Sequence, residues 1–311
     1  MGECLLVRRG GGKPTLKGIS VKTPPTKIQY LEGETFNFSG MVISANLSGT
    51  LVDIMSGYTC TPTVMGAADT TVTISYTVNG KTATTTQVMQ MKPYKPVLAE
   101  NSWAIIADAC AKGLAKSLWA VGDQKTIDIG ATSYIAKIVD FDHYSLAKTD
   151  AKYDTSYNGG TNKNALTFLV FTSMGKSKVH SSSNPDTWSD TTMRTQVMPQ
   201  KIALMPDELQ SALRTVVIRS VYSYGSGFKA SNDALFLPGK YEIQNDSTNS
   251  YTYQSRFAYY SAGNAYGLPS GGVWSRDRNM ENSWFYFTGV SGGYGATPNE
   301  KEFNVCPVFC L

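Results

Sequence analysis

Asn79-Gly80 stands between two runs that alternate in polarity, Thr71 to Val78 and Thr82 to Met89. Both turn positions tolerate the positive φ that a two-residue hairpin demands, so the pair predicts two antiparallel strands in fixed register. Shorter runs punctuated by turn residues precede it: Ile19-Ser20-Val21, Phe36-Asn37-Phe38 and Met41 to Ala45. Their spacing predicts an all-β region over residues 16–91 that closes as a small sandwich. Pro24-Pro25 breaks the first run, as expected at a sheet edge.

The pattern changes after Met91-Lys92-Pro93-Tyr94-Lys95-Pro96, where two prolines favour extended geometry and predict a semi-rigid linker over residues 92–99. A helix follows, capped by Asn101 or Ser102, with Trp103, Ile106, Ala107, Cys110, Leu114 and Leu118 on one face. Strands are predicted at Lys125 to Ile129, Tyr134 to Phe141 and Leu166 to Phe171. Helical stretches are predicted at Thr191 to Val197 and from Pro206 to Leu213, the second opening with Pro and two acids, as the helix dipole favours. A chain of 311 residues accords with two domains, because single cores stop growing at roughly 250–300 residues. The expected fold class is multidomain, an all-β sandwich followed by an α+β domain over residues 100–311.

Charge and hydropathy exclude several partners. Charged residues are 17% of the chain, the net charge is +4, and no basic block tracks a phosphate backbone, so nucleic acid is not an expected partner. The longest nearly apolar run, Ala165 to Phe171, falls far short of the roughly 20 residues that span a bilayer. Met1 to Arg9 places an acid before a short apolar patch and an Arg pair after it, the reverse of a secretory signal, which predicts synthesis in the cytoplasm and exit by lysis or assembly. Residues 1–15 read as an arm, with Leu5, Leu6, Val7, Arg8 and Arg9 expected to dock on a partner; a disordered terminus is the other reading. Five scattered cysteines do not pair into a framework and are expected to be reduced.

Catalytic constellations are missing. His143, between Asp142 and Tyr144 at a predicted strand end, reads as a structural histidine, and His180 as a loop residue. The chain has no HExxH, Cys-x-x-Cys, Gly-x-Ser-x-Gly or phosphate-loop motif, and Gly10-Gly11-Gly12-Lys13 lacks the Ser/Thr and helix of a phosphate cradle. Asp277 and Glu281 are the acid pair that a glycan hydrolase would need. Asp150, Asp154 and Asn158 have the oxygens but not the spacing of a calcium loop. No catalytic residue, metal or cofactor is therefore expected.

Residues 251–295 hold twelve Tyr, Trp and Phe with eight Gly and few charges. Rigid amphipathic rings among adaptable Gly, Ser and Asn resemble a paratope in composition. Tyr251, Tyr253, Tyr259, Tyr260, Trp274, Arg276, Arg278 and Tyr294 are the expected ligand-binding residues, the two arginines placing fixed donors beside the rings. The competing reading packs the rings inside, and Trp284-Phe285-Tyr286-Phe287 suits a buried strand.

Residues 16–91 resemble a bacterial immunoglobulin-like domain in Ile19-Ser20-Val21, Pro24-Pro25-Thr26-Lys27 with Tyr30, Glu32 to Phe36, Gly40-Met41-Val42 and Thr71 to Tyr76. Residues 100–311 resemble an uncharacterised domain of tail proteins from phages of gut Firmicutes, related to the formylglycine-generating branch of the C-type-lectin-like fold. The carrying stretches are Trp119 to Asp123, Ile138 to His143, Trp188 with Met193-Arg194, Met205 to Gln210, Leu235 to Pro238, Trp274-Ser275-Arg276 and Cys306 to Leu311. No cysteine matches the formylglycine-generating active site, so that activity does not carry over. Together the resemblances imply a virion protein of the tail tip, baseplate or tail fibre. Its arm would bind other virion proteins and its terminal domain a host-surface glycan or protein, as a homo-oligomer, most simply a trimer. Capsid decoration or a head fibre is the alternative, and a cell-wall glycan hydrolase the third reading. Hydrolysis and binding differ in whether Asp277 and Glu281 turn a substrate over.

Overall fold

The computed structural model describes residues 13–311 apart from 67, 182–186, 224–226, 245–254, 281–282, 289–292 and 299, and leaves out the side chains of some flanking strand residues, Phe285 and Tyr294 among them. The chain is mostly β-sheet, 38% strand against 19% helix, arranged in several sheets with no barrel among the described residues. It divides into two compact units, Met1–Pro96 and Val97–Leu311.

Among the described residues the first unit has eight strands. β1 (Leu16–Thr23), β3 (Val42–Leu47) and β4 (Thr50–Ile54) form one antiparallel sheet, and β5 (Thr59–Thr61), β6 (Thr71–Val78) and β7 (Lys81–Val88) another. Two short strands, β2 (Gln29–Tyr30) and β8 (Gln90–Met91), pair in parallel. Ile43 of β3 and Ile74 of β6 are fully buried in one cluster with Met41, joined by Ile19, Val21, Ile54 and Tyr76, so the two three-stranded sheets face each other across a shared core. A second cluster gathers Tyr30, Phe36, Met65, Val72 and Met89. Asn79 and Gly80 turn β6 into β7 with φ of 50° and 79°, and Val78 pairs with Lys81. Phe36-Asn37-Phe38 is not a strand. Phe36 is buried and Phe38 is half exposed, while the Tyr30 hydroxyl accepts from Asn37 N at 3.0 Å and holds the segment as a loop.

The second unit is built on two five-stranded sheets. The first has the order β15 (Leu235–Phe236), β20 (Val308–Cys310), β11 (Leu166–Val170), β10 (Thr132–Phe141) and β9 (Gln124–Ile129), all antiparallel. Every residue of β11 is buried, as in a central strand covered on both faces. Helix α1 (Trp103–Ala111) covers it: Trp103 meets Phe168 and Phe309 edge-on, and those two rings stack at 5.0 Å. Ser102 caps α1 by accepting from Ile105 N. The helix is shorter than the apolar periodicity predicts, because Gly113 takes φ +70° against the Gly159 backbone; Leu114 and Leu118 belong to the next turn and to α2 (Ala115–Leu118).

The other sheet has the order β12 (Lys176–Ser177), β19 (Phe303–Asn304), β16 (Val273–Met280), β17 (Ser283–Thr288) and β18 (Gly293–Pro298). A ribbon of β13 (Val216–Ser223) and β14 (Gly227–Asp233) lies against β16. Between the sheets in sequence run a π-helical turn at Met193–Val197 leading into α3 (Met198–Leu204), then α4 (Asp207–Ala212), which packs on α1. The single turns α5 (Lys240–Ile243) and α6 (Ala258–Ser261) complete the unit. No helix among the described residues is long and apolar enough to cross a membrane.

Candidate functional site

Four elements of the second unit converge on one polar cavity. β10 ends at Phe141, Asp142 turns the chain with φ +49°, and His143, Tyr144 and Ser145 follow into the cavity wall. β13 contributes Val217 and Arg219, α5 contributes Glu242, and β16 contributes Arg276; Ser255 completes the described lining of a space of about 240 Å³.

Glu242 and Arg276 form its floor, both almost fully buried. The guanidinium meets the carboxylate in a bidentate pair, Nη1 donating to Oε2 at 2.7 Å and Nη2 to Oε1, and it also donates to the carbonyls of Leu237 (2.9 Å) and Arg219 (3.1 Å). Gly239 N donates to Glu242 Oε2 at 2.8 Å, which ties the carboxylate to the start of its own helical turn. Burial alone pushes a carboxyl up, but the charge and hydrogen bonds of Arg276 hold Glu242 below the usual carboxylate range. For Arg276 burial works against the charge, and Glu242 more than offsets it.

His143 stands beside this pair with its side chain 4% exposed. Its Nδ1 is 2.7 Å from Asp140 Oδ2, within hydrogen-bond distance. Nε2 then faces Glu242 Oε1 at 3.9 Å, beyond hydrogen-bond reach. Asp140 Oδ2 also accepts from Ala258 N at 3.2 Å, and the imidazole is held between Tyr144 and Phe257 at ring separations of 4.5 and 4.8 Å. Tyr144 packs edge-on against Phe236, and its hydroxyl is buried beside Glu242. Burial, then the Glu242 charge, push that phenol well above its ordinary range, so it stays protonated.

The aromatic and arginine residues expected to form a binding face are placed differently. Trp274 and Arg276 are fully buried: the indole donates to Ser177 O at 2.8 Å and packs on Phe303, and Arg276 is the cavity floor. Tyr260 is fully buried and Tyr259 nearly so; the two meet edge-on, Tyr259 also meets Phe171 edge-on, and Tyr260 stacks on Tyr266. Arg278 is 7% exposed. Their faces are largely covered by the core, and of these residues Arg276 lines the described cavity. Tyr251, Tyr253 and the side chain of Tyr294 lie outside the described residues, as do Leu5, Leu6, Val7, Arg8 and Arg9. Of the strand Trp284 to Phe287, Trp284 and Phe287 are buried and Tyr286 is half-buried, its ring lying across Gly295.

The other acids considered above are engaged in hydrogen bonds within the fold. Asp277 is fully buried and accepts from Val221 N (2.9 Å) and Lys240 N (2.6 Å), a structural use that removes it from the acid pair considered for hydrolysis; Glu281 lies outside the described residues. Asp150 accepts from Lys152 N and Thr215 N, Asp154 from Ser156 and Tyr157, and Asn158 donates to Asp142, so all three groups are engaged within the fold, Asp154 by closing its own turn. His180 Nδ1 accepts from Thr192 N at 3.0 Å.

Sequence reading singled out His143 and Arg276 but not their companions. Tyr144, Ser145 and Arg219 lie on strands or strand ends with no motif around them. Glu242 had one usable signal: an acid three residues after Gly239 in Pro238-Gly239-Lys240-Tyr241-Glu242, where a side chain reaches back to the first free N–H of a helical turn. Comparison with known protein families and with curated proteins finds no match for this chain.

Proposed function

We propose that the chain is a phage virion protein of the tail tip, baseplate or tail fibre, in which the first unit is an immunoglobulin-like spacer and the second a C-type-lectin-like domain that binds the host surface. The observation that most supports a binding role is the cavity lined by His143, Tyr144, Glu242 and Arg276. Its charged groups are fixed by one another and by backbone before any ligand arrives, which lowers the ordering cost of binding. Nothing in that arrangement sets a nucleophile against a base: the imidazole is hydrogen-bonded to Asp140 through Nδ1, and Glu242 is saturated by Arg276 and Gly239. The reading is therefore adhesion without turnover. The resemblance of residues 100–311 to phage tail domains supports the virion assignment, and the separate core of the first unit suits a spacer. In this reading the N-terminal arm anchors the chain to other virion proteins, and a trimer supplies avidity.

Immunogold electron microscopy with an antibody to the second unit, on particles released from the source culture, tests it. Gold at the tail end is the expected result. Gold over the head replaces the tail location with capsid decoration, and particles without gold overturn the virion reading.

A further inference from the structure

The two three-stranded sheets of the first unit have edges that differ in how they are protected. β1 and β7 lie beside each other on one side of the sandwich, and β5 is three residues long and runs into Pro62. β4 has neither device. Among the described residues it pairs only with β3, every residue from Thr50 to Asp53 is exposed, and Thr50-Leu51-Val52-Asp53-Ile54 contains no Lys or Pro to discourage pairing. Its one charge, Asp53, is already paired with Lys22. Apolar side chains flank the open lane on both faces of the sheet: Leu51 is 70% exposed and Met55, just past the strand, 73%, while Val52 on the opposite face is 36% exposed. An edge of this kind is a template for one more strand.

The same chain supplies a strand to fill it. Residues 1–12 lie outside the described residues, and within them Cys4-Leu5-Leu6-Val7 is an apolar run close to β4 in length; extended, it would put Leu5 and Val7 on one face and Leu6 on the other. Gly10-Gly11-Gly12 connects the run to the sandwich. The point of exit bears on whose β4 it meets. Thr15 N donates to Ser48 Oγ and Ser48 N donates to Thr15 O, both at 2.9 Å, and Asn79 Nδ2 donates to Pro14 O at 3.0 Å. The chain therefore leaves beside the β6–β7 hairpin, with its own β4 behind it across β1 and β3. From Gly10 to Thr15 the backbone spans at most about 20 Å, at ~3.3 Å per residue, which is enough to reach a neighbouring molecule.

We infer that β4 is the docking lane for the Cys4–Val7 segment of a second copy of this chain, which adds to the sheet edge as a fourth strand. Main-chain hydrogen bonds supply the affinity, and Leu5, Leu6 and Val7 cover the apolar side chains on both faces of the lane. The contact is heterologous, arm to edge, so each copy gives one arm and fills one edge, and the copies close as a ring. This deepens the reading of the arm as an assembly element and rests on it, but it does not depend on where the protein sits in a particle.

Sedimentation velocity on the full-length protein tests it with two variants, each altered only at one half of the contact. Leu5→Asp with Val7→Asp spoils the arm and leaves β4 intact. Leu51→Lys with Met55→Lys spoils the edge and leaves the arm intact; both side chains are exposed, so the melting temperature is expected to stay at the wild-type value. Wild type is expected to sediment as a closed oligomer and each variant alone as a monomer. Mixed at high concentration, the two variants retain one sound arm and one sound edge between them, and a heterodimer is expected. The inference is overturned by a monomeric wild type, which is also the result if the arm docks on its own chain. An oligomer that survives the Leu51 and Met55 substitutions overturns it, because the arm then binds elsewhere. A mixture that stays monomeric overturns it too, as pairing of β4 with β4 would give. Heterodimers combined with particles that carry no gold remove only the virion reading, whereas gold at the tail end with a monomeric wild type removes only the docking lane and the ring.

Discussion

At the scale of single residues, Glu242 carries the largest local consequence. It is the counter-ion of a fully buried guanidinium, so Glu242→Gln leaves Arg276 charged and unpaired in the interior. Breaking one partner of such a pair costs about 3–5 kcal/mol, and denaturant unfolding at pH 7 is expected to show a loss of that size in the second unit alone. The carboxyl is held below its unfolded value, so its stabilisation is complete above about pH 4.3 and is lost as pH falls through the folded value. The gap between wild type and Glu242→Gln is therefore expected to narrow on acidification and not on raising pH; an unchanged gap at pH 3 contradicts the assignment. Histidine and arginine at this site were legible as chemistry-bearing types, but their meeting was not. The cavity joins positions 143, 219, 242 and 276, and only the tertiary fold brings such distant residues together.

At the scale of elements, turn chemistry was the most legible signal. The Asn79-Gly80 hairpin follows directly from two residues that accept positive φ, and an Ala at Gly80 meets no atom within 4 Å, so its cost is purely conformational. Gly80→Ala is expected to destabilise the first unit by about 1–2 kcal/mol and Gly80→Asn by less, measured by denaturant titration. Gly295 differs: a Cβ there lies 2.6 Å from the Tyr286 hydroxyl oxygen, so Gly295→Ala must displace a ring and Gly295→Asn does worse. Where apolar spacing was read without a turn to stop it, the elements came out wrong. Phe36 to Phe38 alternates like a strand yet bends around the Tyr30 hydroxyl, and the α1 stripe runs on past Ala111 although Gly113 ends the helix by packing on Gly159. The aromatic stretch was only partly legible for a related reason. Composition marks rings as large and amphipathic, but strand pairing decides which of them face inward, and Trp274, Trp284 and Phe287 are core.

At the scale of the whole molecule, the two units differ in how their sheets are completed. In the first, strands pair mostly with sequence neighbours, as in β3 with β4 and β6 with β7. In the second, β20 is an interior strand between β11 and β15, and Leu311 accepts from the backbone N–H of Ala165 and Leu166. Deleting residues 306–311 removes that strand and leaves two buried strand edges unpaired. The expected outcome in calorimetry is loss of the second unit's transition with the first unit's transition unchanged. The insertion of β20 also sets an order in time. On a ribosome the first unit has all its strands once Met91 has emerged, whereas the second cannot close its sheet until Cys310 does, about 220 residues later and, at roughly 5–20 residues per second, some 10–40 s afterwards. Throughout that interval β11, apolar at every position but Thr167, waits beside an empty lane, and whatever keeps other nascent chains out of that lane governs the yield of folded protein.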